Sequence, residues 1–407
     1  MRPTIVPFLL SLTFLPACTV DGGDTESATE GTTAGTAGGT TDEPTGGTTG
    51  EPADLNALEL GANASELCVS AMTHAAKLTQ AIAGGDAAAA TAAYLGTDLQ
   101  TFVQQFKTEA ERLDDPAIAA SLALGTPADL AAAEGRLHSA LVRHMRDHLS
   151  AVETGTDDRY AGWDEVHCVW TGALRSLAVE ADAVGWHSVD ESIAADVDAA
   201  LEAGHDGISG APPTTAIDDW RVPPAKQIVE KSLYRAAQRM MIELAANARD
   251  NADAVAASRA LALFGIVKDR LEGRNTPGIA QIEAMLAGDP AMIDPAAILT
   301  ELDIAFAKRT RAYSAIIDVE LGTPTGYKSA IEGRTYARLI APGLAERVSG
   351  ANVAAFIGEW EAYPELVRAG TDLENINALS QRLVDATCAY QAALGVAECT
   401  PEADETK

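Results

Sequence analysis

The sequence predicts an all-α protein, and three observations carry that expectation. Hydrophobic residues make up 47 % of the 407 residues but aromatics only 5 %, so the apolar mass is largely alanine and leucine, both strong helix formers. Helical periodicity runs from about Leu55 to Leu394, and no stretch alternates in the manner of a half-buried strand. Breakers punctuate the periodic runs at Gly84-Gly85, Asp114-Asp115-Pro116, Gly125-Thr126-Pro127 and Gly155-Thr156. A chain of this length exceeds one ordinary domain, so two tandem antiparallel helical bundles are expected after a disordered tether.

The elements follow in order. Arg2 and the apolar run Ile5–Leu15 form an export signal too short to span a bilayer. Leu15-Pro16-Ala17-Cys18 then resembles the lipobox of bacterial lipoproteins. The resemblance implies a signal peptide over 1–17, lipidation of Cys18 and a membrane anchor through that lipid. Thr19, rather than an aspartate, follows the cysteine, which in that class implies the outer membrane or cell surface. Residues 18–54 read as a disordered acidic linker: Asp21 to Asp54 contains no lysine, arginine or aromatic residue and cannot bury enough apolar area to offset its ordering entropy.

Helices are expected near 56–83, 86–112, 127–153, 157–184 and 188–203, and then near 225–248, 250–272, 277–287, 293–318, 324–346, 351–367 and 372–394. Residues 55–206 form the first bundle, 207–224, with Pro212-Pro213 and Pro223-Pro224, the linker, and 225–400 the second bundle. Cys68, Cys168, Cys388 and Cys399 read as two disulfides in an exported chain, favouring Cys68 with Cys168 and Cys388 with Cys399. No Cys-x-x-Cys spacing supports a cysteine metal site.

The halves read as a duplication. Ala151–Cys168 lies ungapped over Asp318–Thr335 with six of eighteen positions identical, among them Val152/Val319, Gly155/Gly322, Tyr160/Tyr327 and Glu165/Glu332. Their chemistry has diverged. All seven histidines fall between His74 and His205, whereas nineteen of the 29 lysines and arginines fall between Asp206 and Thr400. A net charge of −30 excludes a dominant nucleic-acid face.

The histidines are the candidate chemistry. Leu137, Leu141, Met145, Leu149 and Val152 define an apolar stripe; at about 100° per residue, His138, His144 and His148 fall on or beside it. Arg136, Arg143, Arg146 and Asp147 point away. His144 and His148 have the i, i+4 spacing that brings two imidazoles to one metal. On the next helix Tyr160, Trp163, Trp170, Leu174 and Leu177 mark the core side, with His167 on it and Asp164 at its edge. His74 borders the stripe of Leu67, Ala71, Ala75, Leu78 and Ile82, while His187 and His205 fall in connecting segments and are expected to be exposed. Arg334 and Arg338, near Tyr336, offer an anion site as one reading, but as arginines on a helix they are expected to be solvated.

Gly162-Trp163-Asp164-Glu165-Val166-His167 with Trp170 resembles the Gly-x-His-x-x-Glu signature of imelysin-like proteins. That resemblance implies an extracytoplasmic, two-bundle helical protein associated with iron uptake. Asp164 stands where the signature has histidine and His167 where it has glutamate, so the chemical types are exchanged.

The leading expectation is a surface-tethered lipoprotein whose first bundle binds a transition metal ion or haem for capture or delivery. His144, His148 and His167 are the expected ligands, Asp164 a fourth ligand or an acceptor orienting an imidazole, and His138 and His74 further candidates. The alternative is a structural or interaction lipoprotein without cofactor, whose histidines complete core hydrogen bonds. A single Asp164-x-x-His167 is not the repeated Glu-x-x-His of di-iron oxidases, and serine-hydrolase, phosphate-loop and Rossmann patterns are absent, so no catalytic residue is expected. A peptidase activity, which the imelysin-like resemblance also carries, is the third reading.

Overall fold

A computed structural model describes residues 59–105, 114–156, 158–184, 192–210, 215–316 and 318–400. The expected signal peptide, Cys18, the acidic linker and His187 lie outside the described residues. The described part is all-α apart from one two-stranded hairpin, β1 (Ile208–Ser209) and β2 (Ala216–Ile217). Before it come α1 (Glu66–Ala83), α2 (Ala87–Tyr94), α3 (Asp98–Gln104), α4 (Asp114–Leu124), α5 (Pro127–Thr154), α6 (Arg159–Val169), α7 (Arg175–Ala183) and α8 (Ile193–His205). After it come α9 (Val222–Asn251), α10 (Ala254–Phe264), α11 (Lys268–Leu271), α12 (Thr276–Leu286), α13 (Pro295–Ser314), α14 (Pro324–Arg347), α15 (Val353–Ala369) and α16 (Leu373–Ala393). No helix among the described residues is long and apolar enough to cross a membrane.

The helix that positions the candidate site, α5, begins and ends on local chemistry. The Thr126 side chain accepts from the Asp129 N–H, Pro127 opens the first turn, and Asp129 complements the positive end of the helix dipole. Gly155, at φ 72°, closes the helix in the left-handed conformation, donating its N–H to the Ala151 carbonyl. Gly322 takes the same conformation, φ 69°, ahead of α14. Between these ends Leu137, Leu141, Met145, Leu149 and Val152 are fully buried, each burial being favourable by about 1.5–3 kcal/mol. Arg136, Arg143 and Arg146 do leave the histidine side, but they reach protein rather than water: Ala117 and Ser121, Asp114, and Asp269 respectively.

Three expected helices are broken, among them the run from 250, which divides into α10 and α11 at residues 265–267. The run from 86 divides at Gly96, which is left-handed at φ 71° between α2 and α3. The run from 157 continues from α6 into α7 through one π-turn, Trp170–Leu174. The first helix starts at Glu66 rather than near residue 56, because Ser65 caps it by accepting from the Cys68 N–H.

Of the stretch read as a linker, 207–224, the described residues 207–210 and 215–224 carry strands, turns and the start of α9. The hairpin fills its first part, fastened to α6 by the Tyr160 hydroxyl, which donates to the Ile208 carbonyl at 2.9 Å. Pro223 and Pro224 sit in the first turn of α9, where a missing N–H costs nothing. The described residues belong to one compact unit. Its axis is α9, which packs against α5, α7 and α8 from the sequence before it and α10, α13 and α14 from the sequence after it. The disulfides join Cys68 to Cys168 and Cys388 to Cys399, the favoured pairing.

Candidate metal site

His144 and His148 lie one turn apart on α5, their ring centroids 4.4 Å apart and edge-on. Phe102, from α3, packs its ring edge against His144 with centroids 4.4 Å apart. The third group is Glu165 on α6. Ligand atoms of His144, His148 and Glu165 all lie within 4.8 Å of one another. Donors of a tetrahedral site with bonds near 2 Å are about 3.3 Å apart, so small side-chain rotations close the triad on an ion. His144 and Glu165 are buried and His148 half-buried.

The carboxylate is held in place before any ion arrives. The Ser65 backbone N–H donates to one Glu165 oxygen at 3.0 Å and the Ser65 hydroxyl to the other at 3.0 Å. Ser65 is also the N-cap of α1, so Glu165 sits at the positive end of that helix. One turn along each helix, the Cys68–Cys168 disulfide fixes α1 to α6 covalently. Burial pushes the His144 pKa well below its ordinary value and the neighbouring His148 pushes it the same way, leaving a neutral imidazole ready to coordinate without releasing a proton.

Asp164 has a different task. It is fully buried and accepts from the Gly61 N–H at 2.8 Å, the Asn63 N–H at 2.8 Å and the Asn63 side-chain amide at 2.9 Å. It therefore ties down the loop leading into α1. His167 lies against Gly61, where an added Cβ would meet its Nδ1 at 2.8 Å. Burial lowers the His167 pKa while Asp164 and Asp198 oppose that shift. His205, expected to be exposed, is the last residue of α8, with its Nε2 3.9 Å from Asp164 and only 11 % of its side chain exposed. Asp164, His167 and His205 thus gather on one side of α6, while Glu165 joins the α5 histidines on the other.

The remaining candidates lie apart from the triad. His138 is buried two turns before His144, with no hydrogen-bond partner for its Nδ1, and burial followed by the Arg259 charge pushes its pKa down to about 4. His74 is half-buried on α1. Arg338, expected to be solvated, is buried and pairs with Asp196 at 3.1 Å and Glu361 at 2.7 Å.

In the sequence the two tryptophans mark one core face, and that pattern conceals the inward position of Glu165. Trp163 and Trp170 in fact face α8, donating to the Leu201 carbonyl at 2.8 Å and to Asp198 at 2.7 Å. The signal that points to Glu165 is its spacing from Cys168: three residues apart on a helix, the two share the face turned toward α1.

Compared with known protein families, curated proteins and solved structures, the chain matches none.

Proposed function

We propose that this chain is a lipid-anchored envelope protein that captures or delivers a transition metal ion held by His144, His148 and Glu165. The observation that carries the reading is the convergence of those three ligand atoms within 4.8 Å. Two imidazoles and one carboxylate suit zinc and ferrous iron, and leave a coordination position for a partner's ligand or water. Haem fits less well: two imidazoles on one helix with centroids 4.4 Å apart cannot take opposite faces of a macrocycle. Attachment is assigned to the lipid on Cys18, which places the protein at the outer membrane or cell surface with the acidic tether as spacer. The likeness of Gly162–His167 to imelysin-like proteins supports a role in iron uptake; the carboxylate proposed here, Glu165, stands outside the positions that signature specifies.

Titration of zinc or ferrous iron into chelator-treated protein tests the ligand set. Glu165→Gln weakens binding at least about tenfold, whereas Asp164→Asn keeps one site per chain. The opposite pattern removes Glu165 from the site.

The second reading is an interaction lipoprotein with purely structural histidines. It is favoured by one observation, that both Glu165 oxygens already accept from Ser65. It predicts no saturable metal binding at all.

We also read the two halves as tandem pseudo-repeats. In support, the short helices α4 and α12 precede α5 and α13, and Gly155 and Gly322 share a left-handed turn before α6 and α14.

A further inference from the structure

The centre of the molecule holds a second concentration of polar chemistry, on the side of α5 opposite the histidines. Lys231 and Tyr234 of α9, Arg146 of α5, Arg270 of α11, Arg309 of α13 and Tyr336 of α14 converge there. The Lys231 ammonium lies 6.0 Å from the Tyr234 ring centre and 5.8 Å from that of Tyr336. Arg146 and Arg270 stand 6.0 and 5.8 Å over Tyr234, and Arg309 stands 5.7 Å over Tyr336.

Two imbalances mark the cluster. The first is charge. Lys231 pairs with Glu230 at 2.8 Å and Glu332 at 3.1 Å, and Arg146 and Arg270 share Asp269. Four cations therefore face three carboxylates. The remaining cation is Arg309, 9 % exposed, whose one hydrogen bond is donated by Nε to the Arg270 carbonyl; it has no carboxylate within ion-pair distance among the described residues. The second is hydrogen bonding. Tyr234 and Tyr336 are fully buried, and neither hydroxyl has a hydrogen-bond partner among the described residues. The adjacent Tyr313, by contrast, bonds Glu332. Buried hydroxyls need partners and buried charges need counter-charges. A water molecule would satisfy the hydroxyls but leave the Arg309 charge unopposed. An oxyanion satisfies both.

We infer that this cluster binds a small oxyanion, a phosphate or carboxylate group, that accepts from the Tyr234 and Tyr336 hydroxyls and offsets Arg309. Arg146 and Asp269 of the cluster also line a surface cavity of about 550 Å³, together with Arg143 and Lys268.

The test is thermal unfolding of the full chain in sodium phosphate, sodium acetate and sodium chloride at matched ionic strength. A saturable rise in midpoint with phosphate or acetate over chloride supports the site, and the more effective anion names its class. The Tyr234→Phe/Tyr336→Phe variant keeps the packing and removes both hydroxyls, so its half-saturating anion concentration rises at least tenfold. Arg309→Gln gives an independent loss of the same response. His144→Ala/His148→Ala retains the response, since the histidines belong to the other site. Equal midpoints in all three salts, a full response in the double phenylalanine variant, or a response lost with the histidines overturns the inference.

Discussion

At the residue scale the account turns on two adjacent carboxylates. Neighbouring residues on a helix are turned about 100° from one another, so Asp164 and Glu165 cannot serve the same face. The i, i+4 histidine pair was legible because spacing alone places His144 and His148 together. The carboxylate partner was not, because periodicity does not say which neighbouring helix a buried face meets. The division of labour is testable. Asp164→Asn weakens a buried acceptor of three hydrogen bonds and lowers stability by about 1–3 kcal/mol in chemical denaturation, without changing metal stoichiometry. A second residue-scale prediction concerns His138. Its folded pKa of about 4 lies below the ordinary 6.5, so the unfolded chain binds more protons between those values. Its stabilising effect is complete above pH 6.5 and is lost as pH falls toward 4, a change of about 3 kcal/mol. Denaturation of wild type and His138→Gln across that range shows the slope reduced in the variant; parallel curves would contradict the assignment.

At the scale of elements, helix boundaries were legible where a threonine cap and a proline stand together. Thr126-Pro127 opens α5 and Thr323-Pro324 opens α14, and both lie where the pattern placed them. What misled was Pro223-Pro224: a proline pair suits a linker and the first turn of a helix equally, and only packing against α8 decides between them. The Cys68–Cys168 disulfide is the element-scale support of the site, since it fixes the start of α1, and with it Ser65, to the helix carrying Glu165. It spans 100 residues, so Cys68→Ser/Cys168→Ser costs about 4–5 kcal/mol by loop entropy and loosens metal binding. Cys388→Ser/Cys399→Ser, spanning 11 residues, costs about 3 kcal/mol and leaves metal binding unchanged. Chemical denaturation and metal titration of the two variants separate these effects; equal loss of metal affinity in both would mean that the disulfide acts through general stability alone.

At the scale of the whole molecule, composition foretold the all-α class, but the place of α9 was hidden. A helix buried on all sides is ordinarily apolar, whereas α9 buries Lys226, Glu230, Lys231, Arg235, Gln238 and Arg239. Those residues read as a solvated face until their partners on other helices are known. Lys226 and Lys328 both bond Glu153 at the end of α5, so the polar network spans both halves of the sequence. The sequence halves therefore unfold together. Calorimetry gives one cooperative transition for the full chain, and residues 59–205 alone do not fold; two resolved transitions would contradict this. The same frame sets the histidines of α5 against α6 on one side and the cationic centre on the other. The most direct test of the central claim is elemental analysis of protein purified without added metal, compared with His144→Ala/His148→Ala. The account predicts close to one transition-metal ion per chain in the wild type and a loss of most of it in the variant, with helical content retained. Equal metal content in the two proteins, or none in either after incubation with zinc or ferrous iron, would contradict it.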